Sequence, residues 1–193
     1  MFVTDPLCSW CWGMSPAVAE AANRLADRVT FDLLLGGINT AATQVIGDYG
    51  RSMLMKIWHE VAGTTGQTFG YRLPDDLVYN STLPCLAVVA MRESLGRSPF
   101  GYLGRLQQLF FEQGRNIVVR ELLAETAGEF GVDRATFEAR LDDPESSAAL
   151  RTEFATSRCY GTSALPSVLI EEGSERRLLA GGYVDASMLV ELI

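Results

Sequence analysis

A chain of 193 residues with 48% hydrophobic composition can bury a sizeable core as one domain, or as one domain carrying an insertion. Its net charge of −8 opposes attraction to phosphate backbones and anionic lipid, so nucleic acid is not an expected partner. The longest apolar runs, Thr30 to Leu35 and Leu83 to Met91, fall far short of the roughly 20 residues that cross a bilayer, and no membrane partner is expected either.

Phe2 and Val3 make a short strand that stops at Asp5-Pro6, because proline has no N–H to give to a ladder. Beyond Cys8, Ala17, Val18, Ala21, Ala22 and Leu25 recur at helical spacing, with Ser9 placed to cap the helix start. Val29 to Leu35 reads as a second strand closed by Gly36-Gly37, which completes a βαβ unit. From Ile38 to about Asp143 the pattern turns helical. One helix starts at Ser81 or Thr82 ahead of Pro84 and carries Leu86, Val89 and Ala90; another carries Leu103, Leu106, Leu109 and Phe110. Leu122 to Phe130 and Arg134 to Leu141 continue the series, with Gly131 between them and Asp133 as an N-cap. A helix over Ser146 to Tyr160 leads into Gly161 to Pro166. Strand signals return in Ser167 to Ile170 and Arg177 to Ala180 around Gly173, and Asp185 to Ile193 closes the chain as a helix. The expected class is α/β, one mixed sheet under helices, with residues 39–145 inserted as a helical domain between segments 1–38 and 146–193.

Four cysteines are too few for a disulfide-stapled scaffold, so catalysis or burial must account for them. Cys8-Ser9-Trp10-Cys11 sits where a strand gives way to a helix, the context in which a C-x-x-C reads as redox-active. The positive end of the helix dipole favours an anion there, which marks Cys8 as the nucleophile. Cys11, about one turn inward, is the less acidic thiol and the one that resolves a mixed disulfide. Half of a zinc site or an inert pair are the alternatives, and no second C-x-x-C is present. Trp10 suits a surface that holds flexible polypeptide, whereas Trp12 suits the core. Cys85, among Leu83, Leu86 and Val88, reads as a small buried hydrophobe; Cys159 is left open, and the lone His59 is given no role. With the motif starting at Cys8 there is no room for a secretory signal, and the expectation is a cytoplasmic protein.

The segment Asp5-Pro6-Leu7-Cys8-Ser9-Trp10-Cys11-Trp12-Gly13, ending in Ser15-Pro16, resembles the active-site segment of the FrnE-like branch of the DsbA family. The resemblance continues through Gly36-Gly37, Thr65 to Gly70, Gln107 to Ile117 and Gly161 to Pro166, most of the chain. It implies a thioredoxin-like fold with an inserted helical domain, and protein dithiols or disulfides as substrates. It also implies a cis Pro166 facing the motif, with Trp10, Leu165 and Pro166 as substrate contacts. Glutathione or another low-molecular-weight thiol is a further partner, and no cofactor or metal is expected. The dipeptide Ser9-Trp10 lacks the histidine of the strongly oxidising members. Two rivals remain: a glutathione-dependent transferase or isomerase of the kappa type, which would lack the second cysteine, and a non-enzymatic polypeptide-binding chaperone, which would need only an apolar groove.

Overall fold

The computed structural model describes residues 1–160, 164–173 and 175–193; the Gly161 to Ser163 half of the expected loop before Pro166 lies outside the described residues. In chain order the elements are β1 (Phe2–Thr4), α1 (Ser9–Arg24), β2 (Leu33–Leu35), α2 (Asp48–Thr65), α3 (Thr82–Leu95) and α4 (Phe100–Phe111). They continue with α5 (Arg120–Gly128), α6 (Arg134–Leu141), α7 (Pro144–Cys159), β3 (Ser167–Glu172), β4 (Glu175–Gly181) and α8 (Ala186–Leu192). The sheet order is β2-β1-β3-β4, with β1 parallel to β2 and antiparallel to β3, and β3 antiparallel to β4. This is the expected mixed sheet under helices, an α/β thioredoxin-like fold with six helices between β2 and β3 among the described residues.

Alternation along the short strands divides the core. Phe2, Leu33, Leu35, Val168 and Ala180 face a large cluster that also holds Cys11, Trp58, Phe110 and Phe137, whereas Val3, Leu34 and Leu169 form a small patch on the opposite face. The second strand is shorter than the apolar run Val29 to Leu35 suggested. Its partner β1 offers three residues, and the register Phe2 to Leu33, Val3 to Leu34 and Thr4 to Leu35 exhausts them. Val29 instead closes the turn after α1, its N–H donating to Leu25 O at 3.0 Å. Being an edge, β2 would expose unpaired backbone groups. Side chains cover it: Glu153 accepts from Leu35 N at 2.9 Å, Arg92 donates to Leu33 O at 3.1 Å, and the two side chains pair with each other.

Helix ends moved by a turn or less where caps outvoted periodicity. Asp143 accepts from Glu145 N and Pro144 occupies the first turn, so α7 starts before Ser146. The fifth helix runs Arg120–Gly128 rather than Leu122 to Phe130, and beyond it Phe130 N and Gly131 N close tight turns onto Ala127 and Gly128. Asp133 caps α6 as expected, accepting from Thr136 N. No helix of the described residues is long and apolar enough to cross a membrane.

Candidate active site

Helix α1 begins at Ser9, so the capping position falls on Cys8, whose backbone is extended at φ −84° and ψ 111°. Ser9 is therefore not the cap that its residue type suggested; it is already helical and buried. The Cys8 sulfur takes the cap's place, accepting from the Cys11 N–H at 3.3 Å. An N–H at the positive end of a helix thus points at the sulfur. Cys8 is 7% exposed and Cys11 0%, and both are free thiols. Burial pushes the Cys11 thiol well above its ordinary value, and the hydrogen bond and charge of Cys8 add to that.

Asp5 anchors the loop that delivers Cys8, a residue the sequence offered only as a strand stop. It is fully buried, and its Oδ1 accepts from Leu7 N at 2.8 Å. Its Oδ2 accepts from Ile38 N at 3.0 Å, from the Ser81 hydroxyl at 2.6 Å and from the Cys85 thiol at 3.5 Å. Its carbonyl accepts from Cys8 N at 3.1 Å and from Gln107 Nε2 at 3.3 Å. One side chain thus ties the motif to the Gly36-Gly37 turn and to the start of α3. Burial raises the Asp5 carboxyl above the usual carboxylate range, and its hydrogen bonds oppose that without cancelling it. Tyr79, donating to Leu7 O at 2.7 Å, and Cys85 are raised in the same way, chiefly by burial. Cys85 is buried as expected, but it faces a carboxylate as well as hydrocarbon.

Pro16 removes an N–H from the interior of α1, which would orphan the carbonyl of Trp12 four residues back. Ser15 Oγ at 2.8 Å and Gln67 Nε2 at 3.0 Å both donate to that carbonyl, and Trp12 Nε1 donates to Thr68 O at 3.0 Å. The Thr65 to Gly70 segment is therefore a clamp on the helix that carries the cysteines. Trp12 is buried, as expected. Trp10 is half-buried rather than displayed, because its ring packs 6.3 Å from Tyr183.

A cleft of about 320 Å³ opens beside Cys8, lined also by Gly36, Gly37, Ile38, Ser157, Arg158 and Leu165. Gly36 makes room for Leu165, since a Cβ there would lie 2.7 Å from the leucine side chain. The Leu165-Pro166 peptide bond is cis. Pro166 is buried and its carbonyl accepts from Gly182 N at 2.8 Å, so that carbonyl belongs to the fold and is not free for an incoming strand. Cys159 is exposed at the end of α7, and His59 stacks on Tyr71 with ring centroids 4.2 Å apart. Larger cavities lie away from Cys8, including one of about 640 Å³ lined by Trp12, Phe100 and Leu103.

A four-stranded mixed sheet with paired cysteines at the start of the first helix is the arrangement of the DsbA-like thioredoxin class. The chain belongs to the thioredoxin family, whose model matches residues 1–190. Among solved structures, a protein of Nitrosomonas europaea assigned as a protein disulfide isomerase is 25% identical with a TM-score of 0.91, over 99% of this chain and 93% of its own. The cytosolic disulfide reductase DsbM of Pseudomonas aeruginosa is 31% identical with a TM-score of 0.77, over 93% of this chain and 87% of its own, and has also been solved with GSH. The ClpXP adapter protein SpxH of Shouchella clausii is 23% identical over 98% of this chain, which spans 63% of that relative's length.

Proposed function

We propose that Cys8 and Cys11 exchange disulfides with protein dithiols and disulfides. Cys8 attacks the substrate disulfide and Cys11 releases the product by attacking Cys8. The observation that carries this reading is the Cys11 N–H held 3.3 Å from the Cys8 sulfur, while Cys11 itself is sealed from solvent. An attacking thiolate needs a donor and an approach; Cys8 has the first in the Cys11 N–H and the second in the cleft that it lines. The half-buried Trp10 and Leu165 offer apolar surface for an extended substrate, with the buried Pro166 next to Leu165. Segments 1–38 and 146–193 serve as the redox domain and 39–145 as its helical insertion. A cytoplasmic site of action is part of the reading, in keeping with the cytosolic DsbM.

Single-cysteine variants test the assignment. Cys8 alone should be alkylated at neutral pH at least tenfold faster than Cys11 alone, because burial holds the Cys11 thiol protonated and out of reach. Cys11→Ser should abolish catalysed insulin reduction while still trapping substrate on Cys8. Faster alkylation of Cys11 would reverse the roles.

The Cys8 cleft also supports glutathione as the low-molecular-weight partner. Arg158 supplies a positive charge beside the sulfur for a tripeptide that carries two carboxylates, and DsbM has been solved with GSH. Arg158→Gln should then raise the glutathione concentration needed for half-maximal turnover by a larger factor than it slows Cys8 alkylation. No change would remove Arg158 from the binding site.

A further inference from the structure

Strand β1 sends alternate side chains to opposite faces of the sheet. Phe2, paired with Leu33, and Thr4, paired with Leu35, face the cluster that holds Cys11, whereas Val3 joins Leu34 and Leu169 on the other side. Thr4 is 0% exposed, and its Oγ1 makes no regular hydrogen bond among the described residues. A buried hydroxyl without a partner burdens the folded state, and a valine of the same shape would not. On that face Thr4 neighbours Cys11 without a hydrogen bond to it, and it favours the deprotonated thiol against burial, Cys8 and Asp5. The contact falls short of a regular bond to the neutral thiol, which is a weak acceptor; a thiolate is a strong one.

We propose that the Thr4 hydroxyl is the donor that holds the Cys11 thiolate while a mixed disulfide is resolved, an inference that rests on the roles proposed above for Cys8 and Cys11. In the mixed disulfide Cys11 gives up its proton and its thiolate attacks the Cys8 sulfur. The Cys8–Cys11 bond forms as the Cys8–substrate bond breaks, and the substrate sulfur leaves with the electron pair and takes up a proton. Two thiol electrons reduce the substrate, and no outside oxidant is required. The titratable groups that face Cys11 are Cys8 at the α1 cap, Asp5 after β1 and Tyr79 before α3, with Cys85 of α3 behind Asp5. All four are retained in a Thr4 variant, so a change in the pH profile of resolution reports the hydroxyl.

Ellman's reagent separates the two steps, in a Cys159→Ser background that removes the exposed thiol. Attack by Cys8 releases one thionitrobenzoate, and attack by Cys11 on the resulting mixed disulfide releases a second. Thr4→Val should leave the first phase unchanged, slow the second about tenfold at pH 7 and move its pH–rate profile upward by about one unit, as loss of a charge-assisted hydrogen bond requires. Thr4→Ser, which keeps the hydroxyl, should restore the second phase. An unchanged second phase in Thr4→Val, equal slowing of both phases, or a serine variant as slow as the valine one would overturn the proposal. If the valine variant does not fold, Thr4→Ala compared with Thr4→Ser gives the same contrast. Cys11→Ser is the control for the underlying roles: a second phase that survives there refutes the Cys8 and Cys11 assignment. Its loss there, with no Thr4 effect, refutes the hydroxyl alone.

Discussion

Asp5 shows how a residue that reads as punctuation can hold a site together. Its two oxygens serve the backbone of Leu7 and Ile38 and the side chains of Ser81 and Cys85, so removing either oxygen leaves buried donors without an acceptor. Because burial raises its carboxyl, the folded state holds the proton more tightly than the unfolded chain does. The stability that Asp5 contributes is therefore complete below its unfolded value and is lost as pH rises through its folded one. Asp5→Asn should cost about 1–2 kcal/mol at the acid end of the pH range, because the amide nitrogen replaces one of the two accepting oxygens. The gap should narrow as pH rises toward neutrality. Urea unfolding of both proteins across that range decides the matter, and a gap that widens with pH would mean that the ionised form is the stabilised one.

At the scale of elements, α1 is interrupted by its own proline and repaired from outside. The sequence shows Pro16 four residues after Trp12, and it shows Gln67 some fifty positions later, but nothing local connects them. The hydrogen bond from Gln67 to Trp12 O makes the connection, and it places the α2–α3 segment on the back of the cysteine helix. Gln67→Ala leaves Ser15 as the remaining donor to that carbonyl and should cost about 1 kcal/mol, read as a fall of about 2–4 °C in Tm. A variant with unchanged Tm would show that Ser15 suffices. The start of α1 carries a similar lesson. Residue type favours serine as the cap, yet backbone geometry assigns that place to Cys8, so the helix end and the Cys8 sulfur coincide.

Across the whole molecule, the aromatic cluster joins the sheet-bearing segments to the helices between β2 and β3. Phe111 of α4 lies 6.3 Å from Trp12 of α1, 5.3 Å from Trp58 of α2 and 5.5 Å from Phe69, by ring centroids. Gly70 lets the clamp segment reach α4: its N–H donates to Phe111 O at 2.8 Å, and a Cβ on it would fall 1.9 Å from Glu112 O. Phe111→Ala should lose about 4 kcal/mol, as large aromatic truncations in cores do. Circular dichroism and tryptophan fluorescence should still report one coincident unfolding transition. Separate midpoints would show that the helices between β2 and β3 unfold apart from the sheet.

The strands, most of the helices, the α/β class and the position of Cys8 at a helix start were legible in the sequence, because periodicity, proline and glycine act within a few residues; α2 fell in a stretch that read only as helical in general. The burial of Cys85 and Trp12 and the mixed sheet agreed with that reading, and the cis Pro166 agreed with what the family resemblance implied. Strand length was not legible at β2, since a strand extends only as far as its partner pairs with it. The companions of the cysteines were not legible either. Thr4 and Asp5 end an unremarkable three-residue strand, and Ser81, Gln67, Gln107 and Tyr79 lie up to about a hundred positions away. Packing brings them together because a buried carboxylate, carbonyl or hydroxyl must find its partner wherever the fold places one, and sequence distance puts no limit on that search.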